Sequence, residues 1–308
     1  MNAHSFFLYN TVNSIQTDAG PDGLRAAMAQ AEAYELLFSR THPESQLFAV
    51  NEAHGRPTPV DAELSALTQA ALGYCEATGG LFDITMGSVV RLWSANPGTV
   101  PSRAAIEQAL THVDWRTVRA SDRTIALSDP QACIDLGGVA KGRIADGLLD
   151  VLEAQGATHS LVNLGGNVAA RGSKPDGAPW RVGLRRPEPS MSLGAQAHFA
   201  VVELAEGSVV TSGVYERAFQ LNGRTYHHIL DPRTGFPAET DVLSATVVSK
   251  RSIDGDGFTT ALVIMGADDA LAFVESTPGL EAVIVSNEGD VLGTSGIGAS
   301  IGFRVLDR

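Results

Sequence analysis

The sequence has few of the residues that build disulfide frameworks or bind polyanions. Its 308 residues include only two cysteines, Cys75 and Cys133, with no CxxC pair and no histidine at metal-ligand spacing from either. The two cysteines therefore indicate neither a disulfide framework nor a cysteine-ligated metal site, and we expect two buried thiols. Lys and Arg number 22 against 35 Asp and Glu, with no basic run. This balance argues against nucleic acid or an anionic membrane as the main partner, so a phosphate-bearing ligand needs a local cation.

Long hydrophobic runs are also missing. The N-terminal segment MNAHSFFLYNTVNS has only the apolar run FFLY and no basic residues before it. A membrane helix needs about 20 apolar residues, and a signal peptide needs a basic segment and a longer apolar one. We therefore expect no membrane segment and a cytoplasmic location for the chain as given, or a periplasmic one if an export signal has been removed.

The composition, 44% hydrophobic and 19% charged, is ordinary for a globular protein with a sizeable core, in one large or two interlocked domains. Periodicity predicts helices near 22–38, 61–78 with Asp61 as N-cap, 103–110 behind Ser102, and 140–155. Strands are predicted near 159–164, 180–185, 198–204, 215–221, 225–230, 243–249, 281–286 and 301–306. This mixed order favours an α+β (mixed α/β) fold over a doubly wound nucleotide fold. The segment 187–197 is the best candidate for a mobile surface loop.

The nucleotide-binding signatures GxxxxGK[ST] and GxGxxG are absent, but the segment IDLGGVAKGRIADG (134–147) is rich in glycine. Asp135 and the pair Gly137-Gly138 precede a predicted helix whose first turn carries Lys141. Glycines let a backbone approach a ligand closely, and a helix N-terminus favours anions. Phosphate binding is one interpretation, and a glycine-rich helix entry with a solvated lysine is the other.

A second glycine-rich segment, IDGDGFTTALVIMG (253–266), combines a carboxylate with a hydroxyl. Asp256 and Thr260 stand four residues apart, so a helix places both on one face. Both are hard oxygen donors, which suit Mg²⁺ and suit Zn²⁺ poorly. In the alternative interpretation Asp254 caps the helix, Asp256 favours the positive end of the helix dipole, and Thr260 packs.

A third segment, HHILDPRTG (227–235), reads as a strand that runs into a tight turn. Pro232 fixes its own φ and biases Asp231 toward extended geometry, while Gly235 can take a positive φ. The ends of strands beside such turns often carry catalytic groups. The two histidines, the carboxylate and the guanidinium of this segment are therefore candidate functional groups.

Six segments together resemble one known family. TGGLFDIT (78–85), DLGGVAKG (135–142), NLGGN (163–167), TSGVYERAF (211–219), HHILDPRTG and DGDGFTTALVIMG occur in the order and approximate spacing typical of the ApbE-like FAD:protein FMN transferases. The match runs from about Thr11 to Met265. The resemblance implies one two-lobed domain over residues 1–308, with mixed, largely antiparallel sheets flanked by helices. It also implies FAD as substrate, Mg²⁺, transfer of FMN to a Ser or Thr hydroxyl of an acceptor protein, and AMP as leaving group.

The same resemblance assigns roles to individual residues. It makes the carboxylate of Asp256 and the hydroxyl of Thr260 metal ligands, together with the backbone carbonyls of Gly138 and Thr259. His228 matches the catalytic histidine, whereas His227 is expected to pack. Asp231 and Arg233 either orient the loop by hydrogen bonding or form a purely structural turn. The expected FAD contacts are Phe82, Asp83, Ile84, Asp135, Lys141 and Ile229.

The implied reaction is chemically consistent with these groups. Attack on the FMN phosphorus needs a deprotonated hydroxyl, and a histidine with a pKa near ~6.5 is a natural base. A divalent cation supplies charge stabilisation to the diphosphate. Two alternatives use the same residues: a Mg²⁺-dependent pyrophosphatase that splits FAD into FMN and AMP, and a flavin-binding module without turnover.

Overall fold

The computed structural model of the chain describes residues 1–187 and 198–306. The four helices predicted from periodicity are confirmed, and Asp61 and Ser102 act as the predicted N-caps by accepting the amides of Glu63 and Ala105. The helices of the described residues are α1 (Pro21–Phe38), α2 (Gln46–Asn51), α3 (Ala62–Ala77), α4 (Gly87–Ala95), α5 (Arg103–Leu110), α6 (Ala140–Ala154), α7 (Ser252–Met265) and α8 (Ala267–Glu275).

The strands pair in antiparallel fashion throughout the described ranges. They are β1 (Asn2–Leu8), β2 (Thr11–Thr17), β3 (Thr58–Pro59), β4 (Val118–Ser121), β5 (Thr124–Leu127), β6 (Ser160–Leu164), β7 (Asn167–Arg171), β8 (Trp180–Arg185), β9 (His198–Leu204), β10 (Gly207–Gly213), β11 (Phe219–Leu221), β12 (Arg224–Tyr226), β13 (Val242–Ser249), β14 (Leu280–Ser286), β15 (Val291–Gly293) and β16 (Gly302–Val305). The expected α+β fold with largely antiparallel sheets is confirmed.

Two predicted strands are wrong in part. The strand predicted at 215–221 is reduced to β11, because Arg217 has a φ of 49° and so interrupts an extended run. The strand predicted at 225–230 ends with β12 at Tyr226, after which Leu230 forms only an isolated bridge with Pro237. Of the predicted loop 187–197, residues 188–197 lie outside the described part of the chain.

The chain divides into two compact units. The first unit comprises Met1–Ala31, Lys141–Tyr215 and Thr240–Arg308, and the second comprises Glu32–Ala140 and Glu216–Glu239. The chain therefore passes from the second unit into the first at the start of α6, three residues after Gly138. The expectation of a single domain over 1–308 stays a prediction.

The first unit is built on an eight-stranded sheet with the order β1-β2-β6-β7-β10-β13-β14-β15. β1 and β2 are joined by Tyr9 and Asn10, both with positive φ (56° and 58°), which is the geometry of a tight two-residue hairpin turn. At the centre of the sheet, Thr211 of β10 pairs with Thr246 of β13. β13 is buried along almost its whole length, as expected for a strand covered on both faces.

The two faces of this sheet are covered differently. On one face it packs against the three-stranded sheet β16-β9-β8 through a continuous apolar cluster that includes Trp180, Val202, Val209 and Val248. On the other face α7 packs on β10 and β13, and α8 packs on β14. Ala261, Leu262 and Val263 of α7 are fully buried. This packing fixes α7, which carries the candidate metal ligands Asp256, Thr259 and Thr260.

The second unit combines α2 to α5 with the three-stranded sheet β3-β5-β4 and the β11-β12 hairpin. Its core includes Leu64, Ile106 and Ile134, all fully buried. The two cysteines lie here, and the prediction of buried thiols is confirmed. Burial raises the pKa of Cys75 to about 12 and that of Cys133 to about 11. No helix among the described residues is long and apolar enough to cross a membrane.

Candidate active site

In the first unit, α6 and α7 each supply a carboxylate to the N-terminal amides of the other. Asp256 of α7 accepts the amide of Gly142 through Oδ2 at 2.9 Å. Asp146 of α6 accepts the amides of Ser252 and Ile253 at 2.8 and 3.0 Å. The first amides of a helix have no intrahelical acceptor, so each carboxylate satisfies groups that would otherwise be unpaired. The alternative that Asp254 caps α7 is wrong, because Asp254 instead forms an ion pair with Arg251.

The remaining oxygen of Asp256 faces a cation. Lys141 Nζ lies 3.4 Å from Asp256 Oδ1, and the two side chains are 32% and 5% exposed. A distance of 3.4 Å is long for a charge-assisted hydrogen bond, so the lysine neutralises the carboxylate without binding it tightly. The solvated-lysine interpretation is therefore incomplete, since Lys141 lies against a buried carboxylate.

The two threonines predicted beside Asp256 lie in the same helix, three and four residues further along. Both positions are on the face of α7 that carries Asp256. The hydroxyl of Thr259 is buried and bonded to Ser212 Oγ of β10 at 2.9 Å, so a contribution of Thr259 to a metal would come from its carbonyl, as the resemblance implies. Within the described residues, no three His, Cys, Asp or Glu side chains are grouped to hold a metal. The predicted metal ligands do not form such a group, because they include only one carboxylate; the others are a threonine hydroxyl and backbone carbonyls.

In the second unit, Asp83 lies at the centre of a hydrogen-bond network. Its Oδ1 accepts the amide of Thr85 at 2.7 Å and the hydroxyl of Thr85 at 2.6 Å. Its Oδ2 accepts the amide of Trp115 at 3.2 Å. Burial raises the pKa of Asp83 despite these bonds. The network holds the segment 82–85 in one conformation.

Asp135 is joined to the same segment. Its amide donates to the carbonyl of Ile84 at 2.7 Å. Its carboxylate accepts Arg40 Nε at 2.9 Å and the amide of Gly137 at 2.8 Å. Asp135 and Gly137 thus shape the turn that contains Gly138 and leads into α6.

Three of the predicted FAD contacts are core side chains. Phe82, Ile84 and Ile229 are 6%, 0% and 2% exposed. Phe82 packs edge to face with Tyr74 at 6.5 Å between ring centroids. These three residues are therefore packed in the core, whereas Asp83 and Asp135 present polar side chains.

The two adjacent histidines have different environments. His228 is exposed, and its Nδ1 lies 2.8 Å from the carbonyl oxygen of Glu216. A carbonyl only accepts, so Nδ1 carries the proton and Nε2 of the neutral ring is the basic nitrogen. His227 is half-buried, and burial lowers its pKa below 6.5.

The turn after the histidines is closed by Asp231. The amide of Gly235, with a φ of 70°, donates to the carbonyl of Asp231 at 2.7 Å, which confirms the predicted tight turn. The side chain of Asp231 is 10% exposed and binds Arg233 through both oxygens, at 2.7 Å to its terminal nitrogen and 2.9 Å to Nε. Asp231 and Arg233 therefore stabilise the turn by hydrogen bonding.

Two residues that contact the candidate site are not among those predicted from the sequence. Arg40 binds the predicted residue Asp135, and Asp146 binds the first amides of α7, which carries Asp256. No local pattern links Arg40 to Asp135, 95 residues further along. For Asp146 the sequence does contain a signal, a repeated spacing. Asp146 follows Gly142 by four residues, just as Asp256 follows Ser252.

Comparisons with known proteins agree with the resemblance described above. A family model described as "ApbE family" matches residues 9–284, most of the chain. The chain belongs to the ApbE family. Relatives in this family include a protein of Treponema pallidum, 36% identical over 291 residues that cover 89% of this chain and 79% of the relative. A protein of Klebsiella pneumoniae is 35% identical over 84% of this chain and 80% of the relative.

Both ApbE relatives bear the name FAD:protein FMN transferase, and the expectation that the chain is a transferase is confirmed. Solved ApbE structures have the same fold. The ApbE protein of Thermotoga maritima superposes with a TM-score of 0.85 at 29% identity, over 96% of this chain and 97% of that one. The flavin transferase ApbE of Vibrio cholerae gives a TM-score of 0.84 at 24% identity over the same shares of the two chains.

Proposed function

We propose that the protein transfers FMN from FAD to a Ser or Thr hydroxyl of an acceptor protein, requires Mg²⁺, and releases AMP. The observation that carries the proposal is the name FAD:protein FMN transferase, which relatives of 36% and 35% identity over most of the chain bear. The geometry of the predicted residues supports it in each unit separately.

In the first unit, the donors fit a hard divalent cation. Asp256 is 4% exposed, one of its oxygens is held by the amide of Gly142, and the other already faces a positive charge. A buried carboxylate that is oriented in this way, with threonine oxygens on the same helix face, suits Mg²⁺. Among the donors of this unit, Asp256, Thr260 and the carbonyl of Thr259 would hold the ion. When bound, Mg²⁺ supplies neutralisation of the diphosphate oxygens.

In the second unit, His228 is suited to act as general base. The acceptor hydroxyl would give its proton to Nε2 while its oxygen forms a bond to the FMN phosphorus. The bond from that phosphorus to the bridging oxygen breaks, and the bridging oxygen leaves with AMP. The carbonyl of Glu216 holds the proton on Nδ1, which keeps the lone pair on Nε2. Because His228 is exposed, it is accessible to the hydroxyl of a protein substrate.

The flavin substrate would be bound by polar groups that the fold orients. Asp83 and Asp135 are both fixed by backbone amides, and Lys141 provides the local cation that an acidic protein needs for a phosphate. The proposed contacts of Phe82, Ile84 and Ile229 with FAD rest on the family resemblance.

The deciding experiment is incubation of the protein with FAD, MgCl₂ and a candidate acceptor, followed by mass spectrometry of the acceptor and chromatography of the nucleotides. We expect an acceptor that is heavier by one FMN less one water, the mass of the FMN group in a phosphoester, with release of an equal amount of AMP. Free FMN with an unmodified acceptor would instead indicate a pyrophosphatase. Bound FAD without turnover would indicate a flavin-binding module. Omission of the acceptor is the control that separates transfer from hydrolysis.

A further inference from the structure

We infer that Asp146 is a positioning residue for Asp256: its carboxylate holds the first turn of α7 against the first turn of α6 and so sets the orientation of the Asp256 carboxylate. The inference rests on the proposed function, because it takes Asp256 as a ligand of Mg²⁺. Asp146 itself is not placed among the groups that touch metal or substrate.

The first support is that α7 lacks a cap of its own. Arg251 occupies the N-cap position and makes no capping hydrogen bond with its side chain. Its guanidinium is engaged by Asp254 at 2.6 Å. The first amides of α7 are bound by Asp146, from a different helix. The start of α7 is therefore held by α6.

The second support is a repeated spacing with one informative difference. Gly142 and Asp146 on α6 correspond to Ser252 and Asp256 on α7, since in each pair the first residue donates its amide across the contact and the second accepts. Both oxygens of Asp146 accept backbone amides, whereas Asp256 uses one oxygen for an amide and directs the other at Lys141 Nζ. The two carboxylates therefore have different roles. Asp146 binds only backbone amides and holds the two helices together, whereas Asp256 keeps one oxygen directed at a cation.

The third support is how closely the two first turns approach. A Cβ on Gly142 would lie 2.5 Å from the carbonyl oxygen of Ser252 and 2.6 Å from Ile253 Cα, so only glycine fits there. The bond from the Gly142 amide to Asp256 depends on this approach. Loss of the Asp146 bonds would let the turns separate and would change the orientation of Asp256.

The variant Asp146→Asn should fold. Asparagine has nearly the same shape and keeps one acceptor, and α7 retains a second attachment because Ser252 Oγ donates to Asn167 Oδ1 of β7 at 2.6 Å. The matched control is Asp241→Asn, since Asp241 accepts the amide of Ala267 at 3.0 Å and caps α8 of the same unit. Both variants lose a charged helix cap, and both should melt a few degrees lower than wild type.

The two variants should differ in metal binding. We expect Asp146→Asn to lower the affinity for Mg²⁺ by roughly 10- to 100-fold, as is typical for residues that orient a metal ligand. The affinity is measured by calorimetric titration in the presence of FAD. Asp241→Asn should stay within about twofold of wild type. The Mg²⁺ concentration for half-maximal transfer should rise in parallel, while FAD affinity without Mg²⁺ stays unchanged. Wild-type Mg²⁺ affinity in Asp146→Asn would overturn the inference.

A measurement on the wild-type protein tests the same contact without any variant. If the contact supports Mg²⁺ binding, Mg²⁺ must stabilise the contact by the same free energy. Hydrogen exchange of the Ser252 and Ile253 amides should therefore slow when Mg²⁺ and FAD are added, relative to the Ala267 amide. Unchanged exchange at all three would contradict the inference. If wild type binds no Mg²⁺ at all, the metal assignment in the proposed function fails instead.

Discussion

The Nδ1 atom of His228 lies 2.8 Å from the carbonyl oxygen of Glu216. This hydrogen bond selects the tautomer in which Nε2 has the lone pair. A side-chain substitution at Glu216 leaves the bond in place, because the acceptor is a backbone atom. His227, one residue earlier, has a half-buried ring instead. The two histidines can therefore be separated experimentally.

His228→Ala should lose most FMN transfer and keep FAD and Mg²⁺ binding. Removal of a general base typically costs ~10²–10⁴-fold in rate, while ground-state affinity need not change. The measurements are single-turnover transfer and FAD titration. His227→Ala is the matched control, and it should mainly lower the melting temperature, since it removes packing. The choice of histidine is wrong if His228→Ala transfers normally and His227→Ala, still folded, does not.

Asp256→Asn should abolish Mg²⁺-dependent transfer with the fold retained. Its amide oxygen can still accept the Gly142 amide, but the negative charge that attracts the cation is gone. Loss of metal stabilisation is worth several kcal/mol, which corresponds to more than about 10²-fold in rate.

The control for Asp256→Asn is Asp254→Asn, on the same helix, which removes an equal charge from an ion pair with Arg251. A partly exposed ion pair contributes little to stability, so its loss should leave α7 in place. The Mg²⁺ affinity of Asp254→Asn should therefore stay within about threefold of wild type. Transfer by Asp256→Asn at the wild-type rate under saturating Mg²⁺ would refute the assignment of Asp256 as a ligand.

Lys141→Met should have opposite effects on the two ligands. FAD should bind several-fold more weakly, because the cation that we propose for the FAD phosphates is lost. Mg²⁺ without FAD should bind several-fold more tightly, because the ammonium 3.4 Å from Asp256 Oδ1 repels a second cation. Lys250→Met, at an exposed position of the same unit, changes the net charge equally and should alter neither. Unchanged affinities for both ligands in Lys141→Met would instead support the interpretation of Lys141 as a solvated lysine without a role in binding.

His227 should make the protein less stable in mild acid. Burial lowers its pKa in the folded state below the 6.5 of the unfolded chain, so the unfolded state takes up the proton first. Its contribution is fully present above pH ~6.5 and is lost as the pH falls below that value toward the folded-state pKa. We expect the free energy of unfolding, from urea titrations at about pH 7.5 and pH 5.5, to fall more in wild type than in His227→Phe. An equal fall in both proteins would exclude His227 as the cause.

Gly142→Ala should destabilise the protein by about 1–3 kcal/mol, because the added Cβ has no room between the first turns of α6 and α7. The control is Gly73→Ala in the interior of α3, where a Cβ meets nothing within 4 Å. There the same substitution should stabilise by about 0.5–1 kcal/mol through helix propensity. Thermal melts of both variants provide the test, and equal effects would contradict the close packing of the two helices.

Much of the fold could be predicted where local signals were strong. Asp61 and Ser102 begin α3 and α5, as their capping side chains predict. β1 and β2 could not be predicted in this way, because their turn uses Tyr9-Asn10 with two positive φ values in place of the usual Asn-Gly signal. They are strands because β1 pairs with β2 and β2 pairs with β6.

By itself the sequence determined the chemical groups: one carboxylate and two threonines on a helix, a lysine after paired glycines, and adjacent histidines before a DPRTG turn. These follow from spacing, since positions three and four apart share a helix face whatever surrounds them. Only the tertiary structure decided which groups touch. It placed Asp146 on the amides of α7, Asp256 on the amide of Gly142, and Arg40 on Asp135. Such contacts join residues about 95 to 115 positions apart, and no local pattern encodes them, because they exist only once the core has packed.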